Sequence, residues 1–194
     1  MRRRRAVMAG LVGLALVVAG CSSAEPEVST GDGFNDNDVA FASDMIQHHA
    51  QALQMVDLTL GRSLDPELRA LAEQILATQV PEIEEMSDWL QAWDQPVPET
   101  VRDHANAHSY EGMDPDSDLP GMMSNEEMVS LENAPDNDFR RAWLEMMIEH
   151  HEGAVDMAQQ ETESGEHGPA VALAQRIIDA QQREISIMRD LLDS

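Results

Sequence analysis

The chain has 194 residues, and its 37 acidic side chains outnumber 12 basic ones, which gives a formal net charge of −25. This length allows one domain, or two halves that share a core. The acidic charge disfavours binding to nucleic acid and to anionic lipid headgroups and attracts cations, although solubility alone accounts for most such charges. Because Cys21 is the only cysteine, the chain has neither an intrachain disulfide nor a thiolate metal cage.

Residues 1–20 have the pattern of a bacterial lipoprotein signal peptide. Four arginines at positions 2–5 precede an apolar run, and Val18-Ala19-Gly20-Cys21 looks like a lipobox. The apolar run is shorter than the ~20 residues that span a bilayer, which argues against a transmembrane anchor. We therefore expect Cys21 to carry lipid that anchors the protein to the outer side of the cell membrane, with residues 21–37 as a flexible acidic tether.

Residues 38–194 are predicted to form an all-α domain, because strand formers are scarce and apolar residues recur at helical spacing. The first helix should begin near Asp36-Asn37-Asp38 and end at about Leu60. The second should begin with Asp65 as N-cap and Pro66 as its first residue. These two helices make a hairpin over residues 38–92.

Residues 93–137 break the helical pattern with five prolines and form a long crossover. One short helix is predicted where Ser124-Asn125-Glu126-Glu127 makes a capping box. A solvated crossover and a second metal-gathering segment are equally compatible with its scattered His104, His108, Met113, Met122 and Met123. Residues 138–194 then form a second hairpin, whose first helix starts near Asp136 to Asp138 and whose turn lies at 165–169.

The two hairpins are an internal duplication with an offset of 102 residues. When residues 41–92 are laid over 143–194 without a gap, 16 of the 52 pairs are identical. Identical apolar pairs are expected of a duplicated core, but four polar pairs are not. If a two-fold axis relates the hairpins, these pairs meet at mid-height as one composite site. The pairs are His48 and His150, His49 and His151, Gln79 and Gln181, and Glu82 and Glu184.

The duplicated polar set predicts a metal site. A buried ionised Glu without a partner costs several kcal/mol, so the two glutamates need hydrogen bonds or a cation. Imidazole and carboxylate together suit Zn, Cu, Fe or Mn, and four methionines one turn away favour Cu(I), although packing explains them equally well. Copper is the leading candidate and another divalent metal the alternative. The predicted ligands are His48, His49, His150, His151, Glu82, Glu184, Met45, Met147, Met86 and Met188.

Three other interpretations stay open. A metal-free hydrogen-bonded network in the core would fix the helix register. A ferritin-like di-iron or di-manganese oxidase fits less well, because helices 2 and 4 offer Gln-x-x-Glu where that chemistry uses Glu-x-x-His. A helical adaptor would need a large exposed apolar patch. Since no phosphate loop, Ser nucleophile motif or zinc-protease motif is present, we expect no enzymatic activity.

The doubled Met-Ile-x-His-His signature also carries a family resemblance. The stretch Met147-Ile-Glu-His-His-Glu-Gly-Ala-Val-Asp-Met-Ala, preceded by Gly121-Met122-Met123 and Phe139, resembles the secreted bacterial proteins grouped as domain of unknown function 305. The resemblance covers about Val39 to Ser194. It implies a ferritin-like four-helix bundle that is usually exported and often lipid-anchored, with copper binding in some members and no agreed enzymatic activity. A non-enzymatic, extracytoplasmic metal-binding lipoprotein of open oligomeric state is therefore expected.

Overall fold

The structure is a computed structural model that describes residues 33–100 and 119–194. The predicted signal peptide, the lipid attachment site at Cys21 and most of the tether lie outside these residues, as do His104, His108 and Met113. Within the two described ranges, none of the helices combines the length and the apolar character needed to cross a membrane.

The described residues form five α-helices and no strand, as the sequence predicts. The helices are α1 (Asp36–Asp57), α2 (Pro66–Ala92), α3 (Asn125–Asn133), α4 (Asp136–Ser164) and α5 (Gly168–Leu192). Helices α1 and α2 form one hairpin, α4 and α5 form the second, and the two hairpins pack into a four-helix bundle. The short α3 packs against α4.

The helix ends follow local sequence signals, with two corrections, both in α1. Asp65 accepts a hydrogen bond from the Leu68 N–H and Pro66 opens α2, and Ser124 opens α3 with a capping box, both as predicted. The N-cap of α1 is Asn35, one residue before the predicted cluster, because its side-chain oxygen accepts from two backbone N–H groups. Helix α1 also ends three residues before Leu60, where the backbone bonds shorten to turn spacing.

A polar layer divides the hydrophobic core at mid-height. On all four long helices, the duplicated His, Gln and Glu residues lie between one apolar cluster that contains Trp143 and another that contains Phe41. Both clusters are built from side chains that are almost fully buried. The polar layer is therefore enclosed by apolar packing above and below, which raises the free-energy cost of any unsatisfied group in it.

Each hairpin turn is held by the first helix of the other hairpin. Arg140 at the start of α4 pairs with Asp65 in the α1–α2 turn at 2.9 Å. At the opposite end, Asp38 of α1 accepts hydrogen bonds from the backbone N–H groups of Glu166 and His167 in the α4–α5 turn. Arg140 lies 102 residues after Asp38, and His167 lies 102 residues after Asp65. The contacts therefore obey the pseudo-two-fold of the duplication although their chemistry differs.

Candidate metal centre

Two equivalent histidine–glutamate hydrogen bonds frame the polar layer. The His49 Nε2–H donates to Glu82 Oε2 at 2.8 Å, and the His151 Nε2–H donates to Glu184 Oε2 at 2.9 Å. Both imidazoles are fully buried. The prediction that the His pairs share a level with the glutamates is confirmed. The glutamates differ in exposure, because 13% of the Glu82 side chain is accessible against 3% of the Glu184 side chain.

His48 and His150 meet at the centre of the bundle, one from each hairpin. Their ring centroids lie 3.8 Å apart with an interplanar angle of 39°. The His48 Nε2–H donates to the backbone carbonyl oxygen of Pro120 at 3.0 Å. Among the residues that the structure describes, His150 has a partner at neither ring nitrogen. The two halves of the duplication thus contribute to one composite cluster, as predicted.

Burial keeps the central imidazoles uncharged. Burial, followed by the adjacent His49, lowers the pKa of His48 to about 3. Burial, followed by the neighbouring His48, also places the pKa of His150 well below its usual range. Near neutral pH both rings are therefore neutral, and a neutral imidazole retains the lone pair that a metal ion requires.

The layer contains an unusual number of buried polar atoms without partners. Within the described part of the chain, the Nδ1 atoms of the four histidines of the layer lack a hydrogen bond, as do the Gln79 side-chain amide and the Gln181 Oε1. Native proteins pair the large majority of such atoms. Metal-ligating histidines typically donate their other N–H to a carboxylate or a backbone carbonyl, which fixes the tautomer. His48, His49 and His151 already make that second bond, which leaves their Nδ1 atoms as the candidate ligand atoms.

The end of the crossover is seated between α1 and α4, next to the histidines. The Gln51 side chain makes two hydrogen bonds to the backbone of Met123, at 2.8 and 2.7 Å. On α4, a Cβ atom at Gly153 would collide with the backbone of Pro120. Gly153 lies 102 residues after Gln51. These two equivalent positions therefore place the carbonyl group that His48 contacts, a role that the sequence analysis did not assign to them.

Residues 38–192 match the family model described as "Domain of unknown function (DUF305)". The chain belongs to the DUF305 family. A DUF305 fragment from Deinococcus radiodurans is 31% identical, with 82% of this chain and 97% of that chain covered and a TM-score of 0.68. A DUF305 protein from Streptomyces coelicolor is 32% identical, with 81% and 91% covered and a TM-score of 0.69.

This DUF305 chain is also similar to CopM, which has been solved with bound Cu(I), Cu(II) and Ag. The Cu(I)-bound form of CopM is 29% identical, with 80% of this chain and 95% of that chain covered and a TM-score of 0.63. The Cu(II)-bound form is 32% identical over the same shares, with a TM-score of 0.62. Comparison with curated proteins finds no match.

In this DUF305 chain the four candidate methionines are fully buried and divided between the two apolar clusters. Met45 and Met86 pack in the cluster on one side of the polar layer, and Met147 and Met188 pack in the cluster on the other side. The four methionines therefore lie as two pairs on opposite sides of the layer. Within residues 33–100 and 119–194, no three His, Cys, Asp or Glu side chains form a group that could hold a metal ion.

Proposed function

We propose that this DUF305 protein is a non-enzymatic, extracytoplasmic lipoprotein that binds copper at the polar layer and serves in metal handling or tolerance. The single observation that carries the proposal is the set of four buried Nδ1 atoms without hydrogen-bond partners. A self-sufficient hydrogen-bonded network would satisfy its members, because each orphaned polar group costs about 1–3 kcal/mol. A metal ion that accepted those lone pairs would remove that cost.

The donor types support copper over harder metals. The layer offers neutral imidazoles, and the methionine pairs beside it offer thioether sulfur, a combination that selects Cu(I). The similarity to CopM, solved with Cu(I), Cu(II) and Ag, supports the same choice. Oxygen-seeking ions such as Mg²⁺ and Ca²⁺ require a set of carboxylate and carbonyl ligands, and Glu82 and Glu184 already accept hydrogen bonds from histidine.

Each residue has a distinct part in this proposal. His48, His49, His150 and His151 would supply the ligand nitrogens, and Met45, Met86, Met147 and Met188 would add sulfur from either side. Glu82 and Glu184 would hold the imidazole rings of His49 and His151 in orientation through the hydrogen bonds described above. Since His48 and His150 lie ring against ring, loading an ion would require at least one of these rings to turn.

The extracytoplasmic location rests on the sequence of residues 1–21. The arginine run, the apolar stretch and the lipobox ending in Cys21 support export followed by lipid attachment. Mass spectrometry of the mature protein tests this part of the proposal. We expect an N-terminal, lipid-modified Cys21, and an unmodified Cys21 or a retained Met1 would contradict it.

Replacement of His150 tests the metal site. Elemental analysis and calorimetric titration with Cu(I), Cu(II), Zn(II) and Fe(II) should show tight Cu(I) binding to the parent protein. Because no side chain of the described structure forms a hydrogen bond with His150, His150→Ala removes a ligand without leaving another side chain unpaired. We expect a loss of affinity of roughly 100-fold, comparable to losses known for groups that support a metal site.

His167→Ala is the matched control for this experiment. His167 contacts Trp89 and Trp93 at the end of the bundle and takes no part in the polar layer. Its replacement should leave the Cu(I) affinity unchanged. If His150→Ala binds Cu(I) as tightly as the parent protein does, the site assignment is wrong.

The two His–Glu hydrogen bonds favour one second candidate, a metal-free network that fixes the register of the helices. This alternative predicts that no metal binds and that Glu184→Gln is at least as stable as the parent protein, because neutralising a buried carboxylate relieves its desolvation cost. An oxidase would instead bind two Fe(II) ions per chain and consume oxygen.

A further inference from the structure

Among the described residues of the polar layer, Glu82 is the most exposed to solvent. All four imidazoles have no accessible surface. A cleft of about 480 Å³ lies between α2 and α5 and is lined by Thr78, Pro81, Glu82, Arg176, Ala180 and Arg183. Glu82 lines this cleft and also accepts the hydrogen bond from His49. One side chain therefore connects the solvent-filled cleft directly to the histidines.

A difference between the two halves leaves the Glu82 side chain more exposed to solvent than that of its counterpart Glu184. In the second hairpin, Glu184 is covered because its other oxygen accepts a hydrogen bond from Gln74 at 3.0 Å. The residue equivalent to Gln74 is Arg176, which should cover Glu82 if the symmetry were kept. Arg176 instead pairs with Glu85 at 3.1 Å. This is why the Glu82 side chain is 13% exposed and the Glu184 side chain only 3%.

The walls of the cleft are formed by equivalent residues of the two halves. Thr78 faces the cleft from α2 and its counterpart Ala180 from α5, and Pro81 and its counterpart Arg183 do the same. The ion pair of Arg176 and Glu85 is about half exposed on both sides, so it contributes little to holding the two helices together. Another cleft, of about 660 Å³, lies beside α3, and no residue of the polar layer lines it.

We infer that the cleft between α2 and α5 is the port through which a soft metal cation reaches the buried histidines, with the Glu82 carboxylate as its first contact. This inference rests on the proposed function and adds a route to it. An incoming cation is drawn to the carboxylate of Glu82, whose side chain is 13% exposed and lines the cleft. Cation binding at Glu82 releases the His49 Nε2–H from its hydrogen bond, so that the ring can turn its free Nδ1 towards the cation. Glu184 is covered by Gln74, so the cation does not enter the layer on that side.

A graded obstruction of the cleft after folding tests the route. The full chain carries Cys21→Ser, which removes its only cysteine. Ala180→Cys then introduces a single thiol in the cleft. The folded protein is alkylated at this thiol with either iodoacetamide or a bulky maleimide. Stopped-flow mixing with Cu(I) gives the loading rate, and competition with a Cu(I) chelator gives the affinity. We expect the bulky adduct to slow loading by roughly 10-fold or more while the affinity changes little, because a blocked route affects rates in both directions.

Ala172→Cys with the same reagents is the matched control, since Ala172 is exposed on α5 and lies outside the cleft. Its adducts should load at the parent rate. If the bulky adduct at position 180 also loads at the parent rate, the port is overturned and the proposed function stands. If the unblocked protein takes up no Cu(I), the proposed function fails and the port fails with it.

Discussion

Asp38 and Glu161 are buried at the end of the bundle where α1 begins, and their carboxyl groups interact with each other. Burial raises the pKa of Asp38, but the N–H groups of Asn35, His167 and Glu166 outweigh it and lower the pKa below its usual value. Burial and the neighbouring Asp38 raise the pKa of Glu161 to about 8. At neutral pH Glu161 is therefore protonated and can donate a hydrogen bond to the Asp38 carboxylate.

Glu161→Gln should remove a pH dependence of stability. A raised folded-state pKa stabilises the protein fully below the unfolded value of 4.5, and this contribution is lost as the pH rises towards about 8. The parent protein should lose on the order of 4 kcal/mol between pH 5 and pH 9 from this group. The glutamine should lose none of it, because its amide can donate to Asp38 and accept from Asn37 at any pH.

Chemical denaturation at both pH values measures this difference between parent and variant. Glu163→Gln, an exposed change on the same helix, should retain the parent slope. Equal pH slopes for Glu161→Gln and the parent protein would show that Glu161 does not carry the proton.

The amino-acid sequence alone predicted part of the candidate metal centre. The offset of 102 singled out the four histidines and both glutamates, and spacing along the hairpin placed them at one level. It could not predict that Asp38 and Glu161 would meet, because their equivalents in the other half are Arg140 and Thr59. A pair that the duplication does not repeat leaves no trace in the alignment of the two halves.

At the scale of elements, the contact between Gly153 of α4 and Pro120 positions the crossover. Gly153→Ala would place a methyl group against the backbone of Pro120. Because the atoms in the way belong to the backbone and not to a flexible side chain, they cannot move aside easily. We expect a loss of about 2 kcal/mol or more, since insertion of atoms into a packed site costs about 1–3 kcal/mol and the His48 hydrogen bond would be disturbed as well. The shift of the urea unfolding midpoint measures this loss.

Gly168→Ala is the control for this loss of stability, because Gly168 also lies in a helix but has free space around it. A Cβ atom at Gly168 meets nothing within 4 Å. Alanine there should therefore change stability by less than about 1 kcal/mol, because only the following Pro169 restricts its backbone. Equal unfolding midpoints for the two variants would refute the close contact at Gly153.

The helices themselves were largely predictable from sequence, because their starts depend on local chemistry. Asp65 with Pro66 and Ser124 with Glu127 mark the starts of α2 and α3 in the sequence and cap them in the structure. The path of the crossover was not predictable, since a glycine inside a helix indicates only a small side chain. What packs against Gly153 depends on a segment about thirty residues earlier in the chain.

For the whole molecule, a metal ion bound to histidines of both hairpins should stabilise the entire bundle. Binding to the folded state alone adds about 2.7 kcal/mol when free metal is at 100 times the Kd. Calorimetric melting should therefore show one cooperative transition whose Tm rises with Cu(I) concentration. Mg²⁺ should produce no rise, and His150→Ala should lose most of it. A Cu(I)-dependent rise of equal size in His150→Ala would place the ion elsewhere.

The fusion of both halves in one chain has a consequence for how the molecule can change. In a symmetric dimer of identical hairpins, every mutation would appear twice, at both copies of a position. Here Gln51 differs from Gly153, and Gln74 differs from Arg176. One copy can therefore bind the crossover while the other makes room for it, and one glutamate can be covered while its twin stays open. Covalent linkage has given two related halves the freedom to diverge around a shared centre.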